Sequence, residues 1–137
     1  MEKAPQAPGR MIPTYVFDTG ALISAERGKQ RALRFLKLVR IGRAHIVVPF
    51  PVVAEWWRGR SDARAEILAA TSVVASLEAA KAAGVALAAL KHVSSALTVD
   101  AIVMATAALL DAVVVTGDTD DFNRLASHFP GVAVLSA

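Results

Sequence analysis

Residues 98–122 read TVDAIVMATAALLDAVVVTGDTDDF. The first half has a helical pattern, opened by Thr98 and running to about Asp111. The second half, Ala112–Thr116, is an uninterrupted β-favouring run. The same alternation extends in both directions. Upstream, Ile12–Phe17 reads as a strand that stops at Asp18, and Gly20–Glu26 as a short helix. Gln30–Ile41 is a helix with Leu33, Leu36 and Val39 to Ile41 at the apolar spacing and Arg31, Arg34, Lys37 and Arg40 outside. Gly42 ends it. Ala44–Val48 is a second strand, broken by Pro49 and Pro51, and Pro51 suits the first turn of a helix reaching about Arg58. Asp62 is expected to cap a helix ending near Thr71. Val73–Ala75 is a third strand, and Ser76 caps an alanine-rich helix to about Lys91. Downstream, Asp120–His128 is expected to be helical and Val132–Leu135 a fifth strand. Strands alternating with helices require crossover connections, hence a parallel sheet. The strands are continuous apolar runs such as HIVV and VVVT, the pattern of strands buried on both faces. The expectation is an α/β fold: a three-layer α/β/α sandwich with a central parallel sheet of four to five strands. It forms one domain over residues 11–137, with residues 1–10 as a disordered lead-in and Met11 as an alternative start.

Composition narrows the function. The chain has 137 residues, enough for one sizeable core and too few for two ordinary domains. Apolar residues make up 55% and charged residues 20%, which excludes disorder for the chain as a whole. With no cysteine, disulfides, thiolate zinc sites, iron–sulfur clusters and cysteine nucleophiles are all excluded. No apolar run is long enough to span a membrane, and residues 1–10 lack the apolar middle of a secretory signal. A cytoplasmic protein is expected. The net charge is only +3, yet it is unevenly spread: seven of the fifteen basic residues fall between Arg27 and Arg43, while three acids crowd into Asp118–Asp121.

The acids carry the chemical signal. Ligands of open parallel sheets bind beyond the carboxyl ends of the strands. Asp18 ends the first strand, and Asp118 follows Thr116 and Gly117 at the end of the fourth. Asp100 shares a helix face with Val103, Met104 and Ala107, and Glu55 falls in the apolar segment VVAEWW. Asp100 is expected in a first turn, where the helix dipole favours an anion. A buried carboxylate is costly unless paired, hydrogen-bonded or bound to metal. No Lys or Arg lies within five residues of Asp18 or Asp100. A set of hard oxygen ligands without His or Cys suits Mg²⁺ or Mn²⁺. Each acid also has a structural reading: Asp18 as a helix cap, Asp100 as a helix-start acid, Glu55 as a partly solvated helix acid, and Asp118 to Asp121 as a solvated loop.

The order and spacing of these pieces resemble the PIN-domain family, and within it the VapC-type toxins of bacterial toxin–antitoxin pairs. The matching segments are YVFDTGALISAERG, VVAEWWRG, TVDAIVMATAALL and VVVTGDTDDFNRLA, which together span nearly all of residues 12–127. The resemblance implies a Mg²⁺- or Mn²⁺-dependent endoribonuclease with a VapB-type antitoxin as partner, and a homodimer is expected. It implies Asp18, Glu55, Asp100 and Asp118 as the four catalytic acids, with Asp18, Asp100 and Asp118 holding the metal. Thr116 matches the small hydroxyl residue before the fourth acid. Asp121 or Asp120 matches the auxiliary acid after it.

On this reading the metal activates water for in-line attack on a phosphodiester, leaving a 5′-phosphate and a 3′-hydroxyl. An acidic cleft repels RNA, so basic side chains must hold the substrate. Arg27, Lys29, Arg31 and Arg34 are the candidates, although the same residues also fit a solvated helix face or an antitoxin-docking surface. Trp56 and Trp57 suit core or dimer packing. His45, His92 and His128 have no ligand spacing. Two other functions fit parts of the pattern. A haloacid-dehalogenase-like phosphatase shares VFDTG and GDTDD superficially, but it needs a second Asp where Gly20 stands and a Lys nearer the late acids than Lys91. A non-catalytic binding module on the same fold would need no divalent ion.

Overall fold

The computed structural model describes residues 12–137; the lead-in expected at 1–10 and the alternative start at Met11 lie outside them. The order is β1 (Thr14–Phe17), α1 (Thr19–Glu26), α2 (Gln30–Arg40), β2 (His45–Pro49), α3 (Phe50–Trp56), α4 (Asp62–Ala69), β3 (Ser72–Val74), α5 (Leu77–Ala88), α6 (Ser95–Leu110), β4 (Val113–Thr116) and β5 (Val134–Ser136). Two 3-10 turns, Thr119–Phe122 and Ala126–His128, separate the last two strands.

The sheet has five strands in the order β3-β2-β1-β4-β5, and every pairing is parallel. The chain builds outward from β1 through β2 to β3, then returns to add β4 and β5 on the other side of β1. Parallel crossovers are right-handed, so reversing the direction of strand addition moves the connecting helices to the opposite face. Helices α1 to α4 pack among themselves, α5 packs on α6, and α6 lies against β1, β2 and β4. This is the expected three-layer sandwich. Val16, Phe17, Val48, Val114 and Val115 are fully buried between the layers, with Leu22 and Leu36 from one side and Val103 and Met104 from the other. The pair β1 and β4 is where strand order reverses, and their carboxyl ends leave a crevice there.

Several boundaries differ from expectation. Helix α6 starts at Ser95, three residues before Thr98, because the Ser94 hydroxyl accepts the Leu97 amide at 3.1 Å and makes the cap. Thr98 instead turns its hydroxyl back to the Ser94 carbonyl at 3.0 Å. Asp100 therefore sits in the second turn, not the first, and its placement owes little to the helix dipole, whose effect fades within one turn. Ser61, not Asp62, caps α4, accepting the Arg64 amide at 3.1 Å. In place of the helix expected over Asp120–His128 there are two separate 3-10 turns, Thr119–Phe122 and Ala126–His128. Leu33 is 40% exposed and Ile41 57%; α2 presents Ala32 and Leu36 to the core and supports them with Phe35 and Val39.

Candidate active site

Both strand exits at the reversal point are shaped by an Asp, a Thr and a Gly, but they use them differently. After β1 the chain turns at once into α1 with Asp18 as its cap. One carboxylate oxygen, Oδ1, accepts the Ala21 amide at 2.7 Å, and the other, Oδ2, accepts the Thr116 hydroxyl at 2.5 Å. Thr116 is the last residue of β4, so this bond joins the two strand ends. Asp18 is only 7% exposed. Burial raises its pKa above the usual carboxyl value, while the bonds from Thr116 and the Ala21 and Gly117 amides pull it back. The helix-cap reading of Asp18 is thus correct, and it does not exclude a functional one.

After β4 the chain takes a slower path. Gly117 leads to Asp118, whose amide donates to Thr116 Oγ1 at 3.1 Å. The Asp118 carboxylate accepts the Asp120 amide at 3.0 Å and caps the first 3-10 turn. That turn carries Asp121 round to the cleft. The glycines explain how close the two exits come. A Cβ on Gly20 would lie 2.9 Å from the Gly117 nitrogen, and one on Gly117 would lie 3.0 Å from the Gly20 carbonyl oxygen. The contact is backbone on backbone, and no side chain fits between.

Asp100 enters from α6 and Glu55 from α3; both are half-buried. Thr19 donates to Glu55 Oε1 at 2.6 Å, which ties the start of α1 to α3. Burial, then the charges of Asp18, Asp121 and Glu55, push the Asp100 pKa up to about 7. Four carboxyls from four separated segments therefore feel one another across a shared space.

That space is a cleft of about 310 Å³, lined by Asp18, Glu55, Asp100, Asp118 and Asp121 together with Thr116. The four acids Asp18, Glu55, Asp100 and Asp118 singled out from the sequence are all present. Asp121 lines the cleft and Asp120 does not, which separates two acids the sequence left equivalent. Arg27 and Lys29 stand on the rim, whereas Arg31 and Arg34, further along α2, do not line this cleft. Among the described residues, no three His, Cys, Asp or Glu side chains are gathered closely enough to hold an ion as they stand. The donor set is nevertheless all carboxylate and hydroxyl oxygen, and its acids oppose one another with no cation among the causes of the shifts. Hard divalent ions suit such a set.

Three features escaped the sequence reading. Thr19 holds Glu55, and the only trace of this is that it directly follows Asp18. The Gly20–Gly117 contact is signalled by the repeated Thr-Gly beside each strand-end Asp. Beside the cleft, Glu26 accepts the Trp56 indole N–H at 3.0 Å and pairs with Arg64 at 2.9 Å, a contact spanning residues too far apart for any local pattern.

Comparison with known proteins follows the same lines. Among solved structures, VapBC2 from Rickettsia felis, bound to a DNA fragment from its promoter, matches with a TM-score of 0.68 at 16% identity, covering 90% of this chain and 98% of that one. PAE2754 from Pyrobaculum aerophilum matches with a TM-score of 0.58 at 18% identity, over 91% and 92% of the two chains. A toxin–antitoxin complex from Klebsiella pneumoniae matches with a TM-score of 0.57 at 21% identity, over 87% and 95%. At these identities the likeness is one of fold. No curated protein sequence matches. The family model of the PIN domain matches residues 15–127, a span running from β1 past all five cleft acids, and the chain belongs to the PIN domain family.

Proposed function

We propose that this protein is a metal-dependent endoribonuclease and the VapC-type toxin of a toxin–antitoxin pair. The observation that carries the reading is the convergence of five acids from four segments on one cleft, where burial and three neighbouring carboxyls push Asp100 up to about 7. Such electrostatic strain is kept at sites that work on a charge brought from outside. Asp18, Asp100 and Asp118 would hold Mg²⁺ or Mn²⁺, with Asp121 beside them and Glu55 positioning water. When bound, the ion neutralises charge on the phosphodiester and lowers the pKa of the attacking water.

The chain's own residues do the rest. Thr116 and the first turn of α1 clamp both oxygens of Asp18, so its direction is set before substrate arrives. Thr19 fixes Glu55 in the same way. Burial and its acid neighbours raise the Asp100 pKa to about 7, so its charge is the one in the cleft most open to stabilisation by a bound cation. Arg27 and Lys29 at the rim attract the phosphate backbone that the acids repel, and Arg31 and Arg34 extend that basic surface along α2. Two of the structural neighbours are described as toxin–antitoxin assemblies, which supports a VapB-type antitoxin as partner; a homodimer is part of the same proposal. No described helix is long and apolar enough to cross a membrane, and the reading places the work in the cytoplasm.

The test is cleavage of a panel of RNAs in Mg²⁺ or Mn²⁺ and in EDTA, with growth measured on expression alone and with the neighbouring antitoxin candidate. Metal-dependent cleavage abolished by Asp18→Asn, and growth arrest relieved by the partner, are expected. Intact RNA throughout and unaffected growth would overturn the reading. A covalent aspartyl-phosphate would point to the phosphatase alternative instead.

A further inference from the structure

A second and larger cavity, of about 670 Å³, opens beside the acidic cleft. The two share a wall made of Thr19, Ile23, Arg27 and Glu55. Beyond that wall the character changes: Arg58 and Arg64 line the new cavity with Glu26 and Trp56. The charge of Glu26 is already spent, since one oxygen takes the Trp56 indole N–H and the other pairs with Arg64. Arg64 is further pinned by donating to the Gly59 carbonyl at 2.9 Å. Its buried Nε has no hydrogen-bond partner. Within the described residues, Arg27 and Arg58 carry no ion pair.

We propose that this cavity is the subsite for the phosphate next to the scissile one on a single-stranded RNA, gripped by Arg58 and Arg27. The inference rests on the nuclease reading and names how that site holds its substrate. A strand whose reacting phosphate lies among carboxylates can carry the phosphate on one side of it over the shared wall, and there it meets guanidinium forks that match phosphate oxygens two at a time. The volume lies in the range of ligand-sized pockets. The contact is to backbone rather than base. Trp56 is 2% exposed with its N–H engaged, so it offers no face for stacking, and Ile23 offers only apolar surface. Phosphate contacts position a strand without reading its sequence.

The experiment uses the full chain made non-cleaving by Asp100→Asn, in Mg²⁺, with two fluorescently labelled single-stranded RNAs of different base composition. Affinity is measured across a salt series before and after Arg58→Gln. The expected result is weaker binding to both RNAs alike, with the slope of log affinity against log salt reduced by about one lost phosphate contact, roughly 0.7. Arg58→Lys should restore most of that slope. In the cleaving protein, Arg58→Gln should raise KM and leave kcat unchanged, a split that a merely structural role would not give. Unchanged affinity and slope would overturn the subsite, as would a loss confined to one RNA sequence. So would RNA binding retained while a hexaglutamate peptide loses affinity, which would assign the cavity to an acidic protein partner. Failure of the wild type to cleave any RNA would instead sink the nuclease reading, because the salt slope is read without cleavage.

Discussion

The exits of β1 and β4 carry nearly the same residues, Asp-Thr-Gly after one and Thr-Gly-Asp-Thr-Asp-Asp across the other, yet they make different objects. At the β1 exit an α-helix begins immediately, and the Ala21 amide in its first turn fixes Asp18 in a buried position. At the β4 exit a 3-10 turn intervenes, and Asp118 is exposed with one oxygen committed to closing that turn. The acid that couples to Asp18 and Asp100 from this side is Asp121. A carboxylate at a strand end is thus not yet a site. What the backbone does in the next three residues decides whether its oxygens point inward, and how many remain to be shared.

The largest expected effect tests that inequality directly. Asp18→Asn should lower cleavage by roughly 10²- to 10⁴-fold, the scale of losing a group that acts on the reacting atoms. Asp118→Asn keeps an oxygen to cap the turn, leaves Asp121 on the same side of the cleft, and should cost less, roughly 10- to 100-fold, the scale of a weakened metal affinity. Equal losses in steady-state assays would show that the two exits are equivalent and break the comparison. Thr116→Val comes next. It removes the bond joining the exits while preserving shape, and should slow cleavage by roughly 10- to 100-fold and destabilise the fold by about 1–3 kcal/mol, as expected when a buried acceptor loses its donor. Chemical denaturation alongside kinetics separates the two effects.

Gly20→Ala tests the contact between the exits. The added methyl meets backbone on the far side, which cannot rotate away, so one exit must shift. A loss of about 1–3 kcal/mol in denaturant melts is expected, as for overpacking a tight interior; a neutral outcome would mean the exits separate freely. The smallest effect is in pH. Asp100 keeps its proton in the fold up to about 7, against 3.8 for an ordinary carboxyl. Between those values the folded chain binds more protons than the unfolded one. The stability is therefore fully present below about pH 4, falls as pH rises through about 7, and stays lost above it. Partial exposure moderates the effect, so the melting temperature in EDTA should drop by only a few degrees across this window. Asp100→Asn should flatten the curve and melt higher than the wild type at pH 8. Millimolar Mn²⁺ should restore the wild type more than the variant. A wild-type melting temperature that rises over the same window would contradict the crowding of acids.

Much of this was legible in residue order. HIVV and VVVT read as strands buried on both faces, and they occupy the middle of the sheet. Asp18, Glu55, Asp100 and Asp118 were visible as acids in apolar surroundings, and all four line one cleft. Helix starts were less legible where capping residues cluster. In SSALT the pattern favours Thr98, but the hydroxyl that reaches an amide belongs to Ser94. Asp120 and Asp121 were indistinguishable because adjacent residues in a tight turn point apart by geometry alone. The basic run on α2 drew attention by its density, while two of the three guanidiniums that line the larger cavity, Arg58 and Arg64, come from the α3–α4 connection and the first turn of α4. Charge density along a chain says where cations are numerous, and only the fold says which of them face inward.

Trp56 gives the protein an optical consequence of its own architecture. Its indole is enclosed, its N–H ends on Glu26, and Glu26 is held in turn by Arg64. The ring of Trp57 stands edge-on 5.9 Å away. These are the chain's two tryptophans, so nearly all of its intrinsic fluorescence arises beside the larger cavity. An anion that draws Arg64 from Glu26 changes the polarity at the indole nitrogen, and emission wavelength then follows occupancy without any attached dye. The fold has placed its own chromophore where the substrate is expected to pass.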